Sequence, residues 1–418
     1  MRGDPGADLA VSLDVSAVPL RPAGAGHYTV ALATRLAAFP GLDLTLVSRA
    51  SDAGRWEALA PAARLEAVVP DPRPARLLWE QTKMPKLLAR LPVQVHHGPH
   101  YTMPEAASLA RVVTVHDLTF FDHPEWHERS KVVLFRRAVR VAAAHADVLV
   151  CVSRTTAQRL VELCPPAGEV VVVPHGVDHS RFHPGTLLDR ETGASPADGA
   201  RPTPAGPAGA GAAPARSPSG RGGQEGGEAA LASLGVVAPY VAFVGTVEPR
   251  KDAPTLVRAF DRMCPAHPGL TLVLAGGAGW GEKELSQAIS AARHPERMLR
   301  LGYVPEEAVP ELLKGAAAVA YPALEEGFGL PVLEALACGA PLVTTAGTVM
   351  EELAGGAALL VEPGDVDGLA GALDMLVRGD SGLEVRRARG LAVASRYTWT
   401  ASAAGHVGAY RAAVDRRG

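Results

Sequence analysis

Cysteine is scarce: four residues in 418, Cys151, Cys164, Cys264 and Cys338, scattered and without a CxxC pair. That spacing makes neither a disulfide framework nor a zinc site, and it suits buried thiols in a reducing compartment. Neither sign of charge dominates. The formal net charge of −3 excludes a general nucleic-acid binder, which would carry a basic excess, so any anion site must be local. No apolar run reaches the roughly 18 residues needed to span a bilayer. Met1 to Pro19 carries acidic residues and one cation, Arg2; it reads as a short strand, and no secretory signal is expected there. A cytoplasmic protein is expected, with peripheral contact at the inner face of a membrane left open. A complete GxGxxG fingerprint is also missing. Gly24 and Gly26 are in place, but Thr29 stands where the last glycine should be, which removes the main support for a dehydrogenase. His96, His97 and His100 have no carboxylate at a recognisable ligand spacing, so no metal is expected.

What is present is a repeated order of strand, turn and helix. A chain of 418 residues suggests two domains, and 47% hydrophobic with 20% charged residues suits a soluble globular protein. Apolar runs fall at 9–18, 42–47, 93–97, 112–115, 148–152 and 170–173, then at 240–244, 270–275, 299–303, 317–321, 341–345 and 357–361. Many lack alternation, as parallel strands covered on both faces do. Helical stretches lie between them. Apolar periodicity disappears between about 184 and 228, through TPAGPAGAGAAPARSPSGRGGQEGG. Such a segment buries too little to offset its ordering entropy and reads as a flexible linker or insertion. The expected plan is α/β: two doubly wound, Rossmann-like domains facing across a cleft. They would occupy 1–182 and 234–396, joined by a linker at 183–233 and followed by a helix at 397–418.

Four stretches stand at strand carboxyl ends, where such sheets bind ligands. Arg21-Pro22-Ala23-Gly24-Ala25-Gly26-His27 precedes a helix whose first amides favour an anion; an ordinary turn is the alternative. His116, in TVHDL, ends an apolar strand; its imidazole faces either a ligand or simply Asp117. Arg250 and Lys251 follow Gly245 in FVGTVEPRKD, well placed for a diphosphate, or else a solvated basic pair. The fourth, EEGFGLPVLEALACG, carries Glu326 in a loop, Gly327-Phe328-Gly329-Leu330 at a helix start, and Glu334 inside the helix. Seven residues separate the two carboxylates. They suit hydroxyls at the two ends of one ligand, such as a sugar nucleotide; an acidic first turn is the plain alternative. The helix at 131–140 carries Lys131, Arg136, Arg137 and Arg140 beside Val132, Val133 and Phe135. It reads as a solvated basic face or a contact with an anionic membrane.

Together these stretches resemble the retaining glycosyltransferases of family 4, which have the GT-B fold. Glu326-(x)7-Glu334 looks like the EX7E motif of that family, and VGTVEPRKD, LAGGAGWG, LGYVPEEAVPELL, AALLVEPGD, TVHDLTF, CVSRTT and VVPHGVD match in order. The resemblance implies a hexosyltransferase of the mannosyltransferase-like branch, serving polysaccharide or glycoconjugate synthesis. It would use a nucleotide-diphosphate sugar, GDP-mannose favoured, with a glycan or glycolipid acceptor and no cofactor or metal. A UDP-sugar enzyme, or a non-catalytic sugar-nucleotide-binding protein of the same fold, are the alternatives. By resemblance, Arg250 and Lys251 hold the diphosphate, and Gly245 lies in the turn before them. Amides of Gly327–Leu330 meet the sugar and phosphate. Glu326 meets the sugar hydroxyls, Glu334 the ribose, and Tyr303 and Val304 the base. Gly26 lets its loop reach the phosphate, and His116 sits near the reacting carbon. Three positions depart from the family pattern: His27 replaces a common arginine, Asp252 a frequent asparagine, and Glu351 a frequent proline.

Overall fold

The computed structural model describes residues 9–20, 22, 24–185 and 231–418. The linker expected at 183–233 falls mostly on 186–230, outside the described residues. Two parallel sheets organise the rest. The first contains β1 (Leu9–Asp14), β2 (Leu42–Arg49), β3 (Arg64–Val69), β4 (Val95–Gly98), β5 (Ala110–Val115), β6 (Val148–Cys151) and β7 (Glu169–Val172), in the order β3-β2-β1-β4-β5-β6-β7. The second contains β8 (Tyr240–Val244), β9 (Thr271–Ala275), β10 (Met298–Gly302), β11 (Ala318–Tyr321), β12 (Leu342–Thr345) and β13 (Leu359–Val361), in the order β10-β9-β8-β11-β12-β13.

Both sheets share one plan. The chain starts inside the sheet, builds outward on one side, then returns and builds on the other. The order therefore reverses between β1 and β4 and between β8 and β11. At such a reversal the loops leaving the strand ends diverge and open a crevice. The central strands are buried at every position in β4, β5, β6, β11 and β12. Helices cover both faces, which explains the unbroken apolar runs of strands such as β6 and β11.

The last helix, Trp399–Asp415, begins at Thr398, whose hydroxyl accepts from the Ala401 amide at 3.0 Å. It follows the second sheet in sequence but buries Trp399, Ala403, Val407, Tyr410 and Ala413 in the core of the first domain. Full burial of a Val-sized or larger apolar side chain stabilises by roughly 1.5–3 kcal/mol. Two buried polar contacts fix the register: His406 Nε2 with the Tyr28 hydroxyl, and the Tyr410 hydroxyl with His97 Nδ1, both 2.8 Å. His97 also meets Thr114, and His96 meets Ser12, each at 2.8 Å. These imidazoles are thus engaged in packing the final helix and the sheet.

The first strand is shorter than its apolar run because Asp14 accepts from the Ser16 amide at 2.9 Å and turns the chain. β3 and the helices Ala53–Leu59, Arg73–Thr82 and Leu383–Ala394 are additions to the sequence reading. All four cysteines are buried and unpaired.

Candidate active site

The site is built first from the loop after β8. Gly245 has φ 157°, and a Cβ there would stand 3.0 Å from Lys251 Nζ. The glycine thus leaves room for the ammonium. A single helical turn, Pro249–Lys251, leads to Asp252 at φ 46°, which caps the helix Ala253–Met263 by accepting from the Thr255 amide. Asp252 keeps the cap that asparagine would supply.

Arg250 joins this loop to the next. Its Nε donates to Glu248 Oε2 at 2.7 Å, its Nη1 forms an ion pair with Glu326, and its carbonyl accepts from the Leu324 amide at 2.7 Å. The Tyr321 hydroxyl, at the end of β11, donates to the other Glu326 oxygen at 2.7 Å. Burial opposes charge on Arg250, but Glu326, Glu248 and Asp117 outweigh it and hold the guanidinium charged. Burial likewise pushes Glu326 up, and Arg250 and Lys251 more than reverse this, leaving a carboxylate below its ordinary range. Lys251 is 8% exposed; burial draws its ammonium down, against the pull of Glu326.

The helix Leu330–Ala337 starts after Gly329 at φ 94°, and no side chain caps its first amides. Glu334, inside that helix, is lifted to about 7 by burial; Arg181 and Lys251 lower it and Glu306 raises it. At the edge of the sheet, two strands from β8, β10 ends at Gly302 with φ 64°, followed by an exposed Tyr303 and a buried Val304. Glu306 accepts from Arg181 through its carbonyl at 2.7 Å and meets His27 at 3.0 Å.

The first domain closes against this surface. A Cβ on Gly327 would overlap the His116 carbonyl oxygen and stand 2.8 Å from Asp117 Cβ. Thr156 Oγ1 donates to the Gly327 carbonyl at 3.2 Å, and the Phe328 ring packs edge-on to His175 at 4.7 Å. His116 Nε2 lies 2.7 Å from the Pro99 carbonyl. A carbonyl only accepts, so Nε2 carries the proton and Nδ1 is left as an acceptor. Burial lowers this imidazole below its usual pKa and keeps it neutral. Gly26 is buried in the first turn of its helix, where a Cβ would press on Pro22 at 3.1 Å.

Arg250, Lys251 and Glu326 are therefore one cluster. Glu334 lies within the field of Lys251, Tyr303 and Val304 follow the edge strand β10, two strands from β8, and His116 meets Gly327 from the opposing domain. Sequence reasoning missed Glu248, Tyr321, Thr156, His175, Arg181 and Glu306. Glu248 lies in a recognised motif and Tyr321 ends a recognised strand; Thr156, His175 and Glu306 also lie in recognised motifs, but they and Arg181 act only through contacts made across the domain junction. Of the basic helix, Lys131 pairs with Glu128 at 2.8 Å, Arg137 with Glu105 at 2.7 Å, and Arg136 donates to the Phe120 carbonyl at 2.9 Å.

Two doubly wound domains meeting through their strand-end loops are the GT-B arrangement. Two family models match the chain: "Glycosyltransferase Family 4" over residues 22–181 and "Glycosyl transferases group 1" over residues 236–390. The first domain thus belongs to the glycosyltransferases of family 4 and the second to the glycosyl transferases of group 1. It is 28% identical over 319 residues to the O-antigen chain mannosyltransferase B of Escherichia coli, covering 76% of this chain and 74% of that protein. It is also 28% identical over 429 residues to the D-inositol 3-phosphate glycosyltransferase of Acidothermus cellulolyticus, covering 94% and 86%. Sucrose-phosphate synthase from Thermosynechococcus elongatus superposes with a TM-score of 0.71 at 19% identity, covering 96% of this chain and 98% of that one. Anabaena HepE, solved with UDP-glucose, superposes with 0.70 at 18%, covering 96% and 99%. At these identities the structural likeness bears on the fold alone. Among the described residues, no helix is long and apolar enough to cross a membrane.

Proposed function

We propose that the protein transfers a hexose, mannose in the first instance, from a nucleotide-diphosphate sugar to a glycan or glycolipid acceptor, with retention of anomeric configuration. The observation that carries this reading is the buried Arg250–Lys251–Glu326 cluster at the carboxyl end of β8 and β11, facing His116. The donor C1–O bond would weaken toward an oxocarbenium-like state while the leaving diphosphate gathers charge. Lys251, Arg250 and the amides of Gly327–Leu330 would stabilise that charge without reorganising. Glu326 and the free Nδ1 of His116 would accept sugar hydroxyls, and Glu334 those of the ribose. Gly26 would let its loop approach the phosphate, with Tyr303 and Val304 beside the base. The departing phosphate oxygen would take the acceptor proton on the same face. The cations of the chain do the work of a metal in this scheme, so chelation is expected to leave turnover unchanged.

Mannose is favoured by the E. coli mannosyltransferase relative, GDP is taken as its carrier from the family resemblance, and UDP is kept as the alternative donor base by the complex of HepE with UDP-glucose. A thermal-shift panel of GDP, UDP and ADP with their hexose conjugates decides between them. Stabilisation by GDP and GDP-mannose is expected; stabilisation by UDP alone moves the donor to UDP-hexose; no stabilisation by any overturns the reading. The anomeric proton of the product, followed by NMR, tests retention.

Glu334 adds a pH signature. If its ionised form receives the ribose hydroxyls, donor affinity falls as pH drops through about 7, where Glu334 takes up its proton. Between pH 8 and pH 6 the loss should be about tenfold. The nucleotide sugar has no free terminal phosphate to titrate in that window, so the slope belongs to the protein. Glu334→Gln should flatten it, and calorimetry at the two pH values is the measurement.

A further inference from the structure

The glycine-rich turn at 276–281, between β9 and the helix Glu282–Ala291, carries none of the site residues above, yet it touches both halves of the site. On its own side it is stitched to the loop after β8. The Gly281 amide donates to the Val247 carbonyl and the Val247 amide to the Gly277 carbonyl, both at 3.1 Å. A Cβ on Gly279 would overlap the Val247 carbonyl oxygen, so a glycine is needed for the two loops to lie this close. Lys251 follows on that same loop, after the turn that starts at Pro249.

Trp280 reaches from this turn to the first domain. It is 43% exposed, so its indole is no part of a core. Its single donor, Nε1, goes to the Trp126 carbonyl. The Lys131 ammonium, held by Glu128 at 2.8 Å, lies 5.4 Å from the indole ring centre, and the His127 ring lies 6.4 Å away. These residues continue the loop that carries His116. His127 Nε2 donates to the Thr119 hydroxyl at 2.9 Å, and that hydroxyl donates to Asp117 at 2.9 Å. The His123 ring stacks on Trp126 at 3.8 Å and sends a second, longer tie across the junction, 3.7 Å to Glu325. Relative motion is the ordinary expectation for two domains meeting across a polar junction. An exposed hydrogen bond and an exposed cation–π contact are each worth only a few-fold in an equilibrium constant. Together they shift such an equilibrium by about an order of magnitude.

We propose that Trp280 is a positioning residue that clasps the loop carrying Lys251 to the loop carrying His116, and so holds the domains at the separation that transfer requires. The assignment rests on the transferase reading above; Trp280 acts through the two loops rather than on the substrate. All four native cysteines are buried, so spin labels on Val68→Cys and Val385→Cys, exposed positions in the first and second domains, report the domain separation by pulsed EPR. The full chain is measured free and with GDP or UDP added. Trp280→Ala should lower the ratio of closed to open chains about tenfold. Trp280→Phe keeps a ring for Lys131 but loses the N–H, and Lys131→Met keeps the N–H but loses the cation; each should lower the ratio about threefold. Lys131→Arg should behave as the wild type. Turnover of GDP-mannose or UDP-glucose should fall in the same order, while GDP and UDP affinities stay within about threefold and the melting temperature is unchanged. Unchanged distances in Trp280→Ala and Lys131→Met overturn the proposal, whatever happens to stability. So does an opened chain that turns over normally, since the separation would then have no part in the reaction. If the wild type consumes neither sugar nucleotide, the transferase reading has failed and the catalytic part of this proposal with it, while the distances still decide the clasp.

Discussion

Lys251→Ala is expected to lower turnover by about two to three orders of magnitude with the fold intact, the usual cost of deleting one preorganised charge donor. The two cations of the site differ in how their charge is used. The Arg250 guanidinium is committed to Glu248 and Glu326, and its backbone carbonyl accepts from the Leu324 amide, which together lock the loop after β8 to the loop after β11. Lys251 is as deeply placed, but among the described residues no carboxylate lies within ion-pair distance of it. Its ammonium is therefore available to a diphosphate, and Gly245 keeps the space beside it clear. Arg250→Ala would be a poorer probe, because it strips a partner from buried Glu326; breaking a buried pair costs roughly 3–5 kcal/mol of stability. Steady-state kinetics with the donor found in the binding panel, alongside a melting curve, separate the two effects. A fall in kcat with an unchanged Tm is the expected pattern. Near-normal turnover would remove Lys251 from the reaction.

The fold was readable because its central strands obey one physical rule. Runs such as Val112-Val113-Thr114-Val115 and Ala318-Val319-Ala320-Tyr321 are covered on both faces and need no alternation. β3 escaped notice because, at the edge, Arg64 and Glu66 are compatible with strand and helix alike. The helix Leu383–Ala394 was hidden by its composition: only Gly390 and Ala394 are buried, so its apolar stripe is faint. In the site, the two carboxylates and the cation pair were visible as motifs, because each pair lies within one short stretch after one strand. The contacts that join the domains were not. His27 meets Glu306, and Arg181 meets both Glu306 and the field of Glu334, across long separations in sequence. No local period or spacing encodes such pairs. The replacement of a common family arginine by His27 acquires a physical meaning only once Glu306 is seen opposite it.

Gly327→Ala should cost about a hundredfold in turnover while nucleotide affinity changes by threefold or less. The reason is steric and lies between the domains. A Cβ at this position would overlap the His116 carbonyl and crowd Asp117, and backbone cannot yield as a flexible side chain does. The first domain must then back away from the Gly327 loop by an ångström or so. That displacement separates His116 from the Arg250–Lys251–Glu326 cluster, and a shift of this size in reacting groups carries a penalty of about two orders of magnitude. It also opens the junction to water, so hydrolysis of the donor should rise relative to transfer. The charged groups assigned to the donor, Arg250, Lys251, Glu326 and Glu334, belong to the second domain and keep their own geometry, so nucleotide binding should survive the loss of the first-domain contacts from His116 and the Gly26 loop. Gly329→Ala is the control, because its Cβ would meet Met350 at 3.3 Å within the second domain and its φ of 94° penalises any side chain. That variant should lose stability and donor affinity together. If Gly327→Ala turns over normally, or loses affinity in step with turnover, contact between the domains through His116 has no part in the reaction.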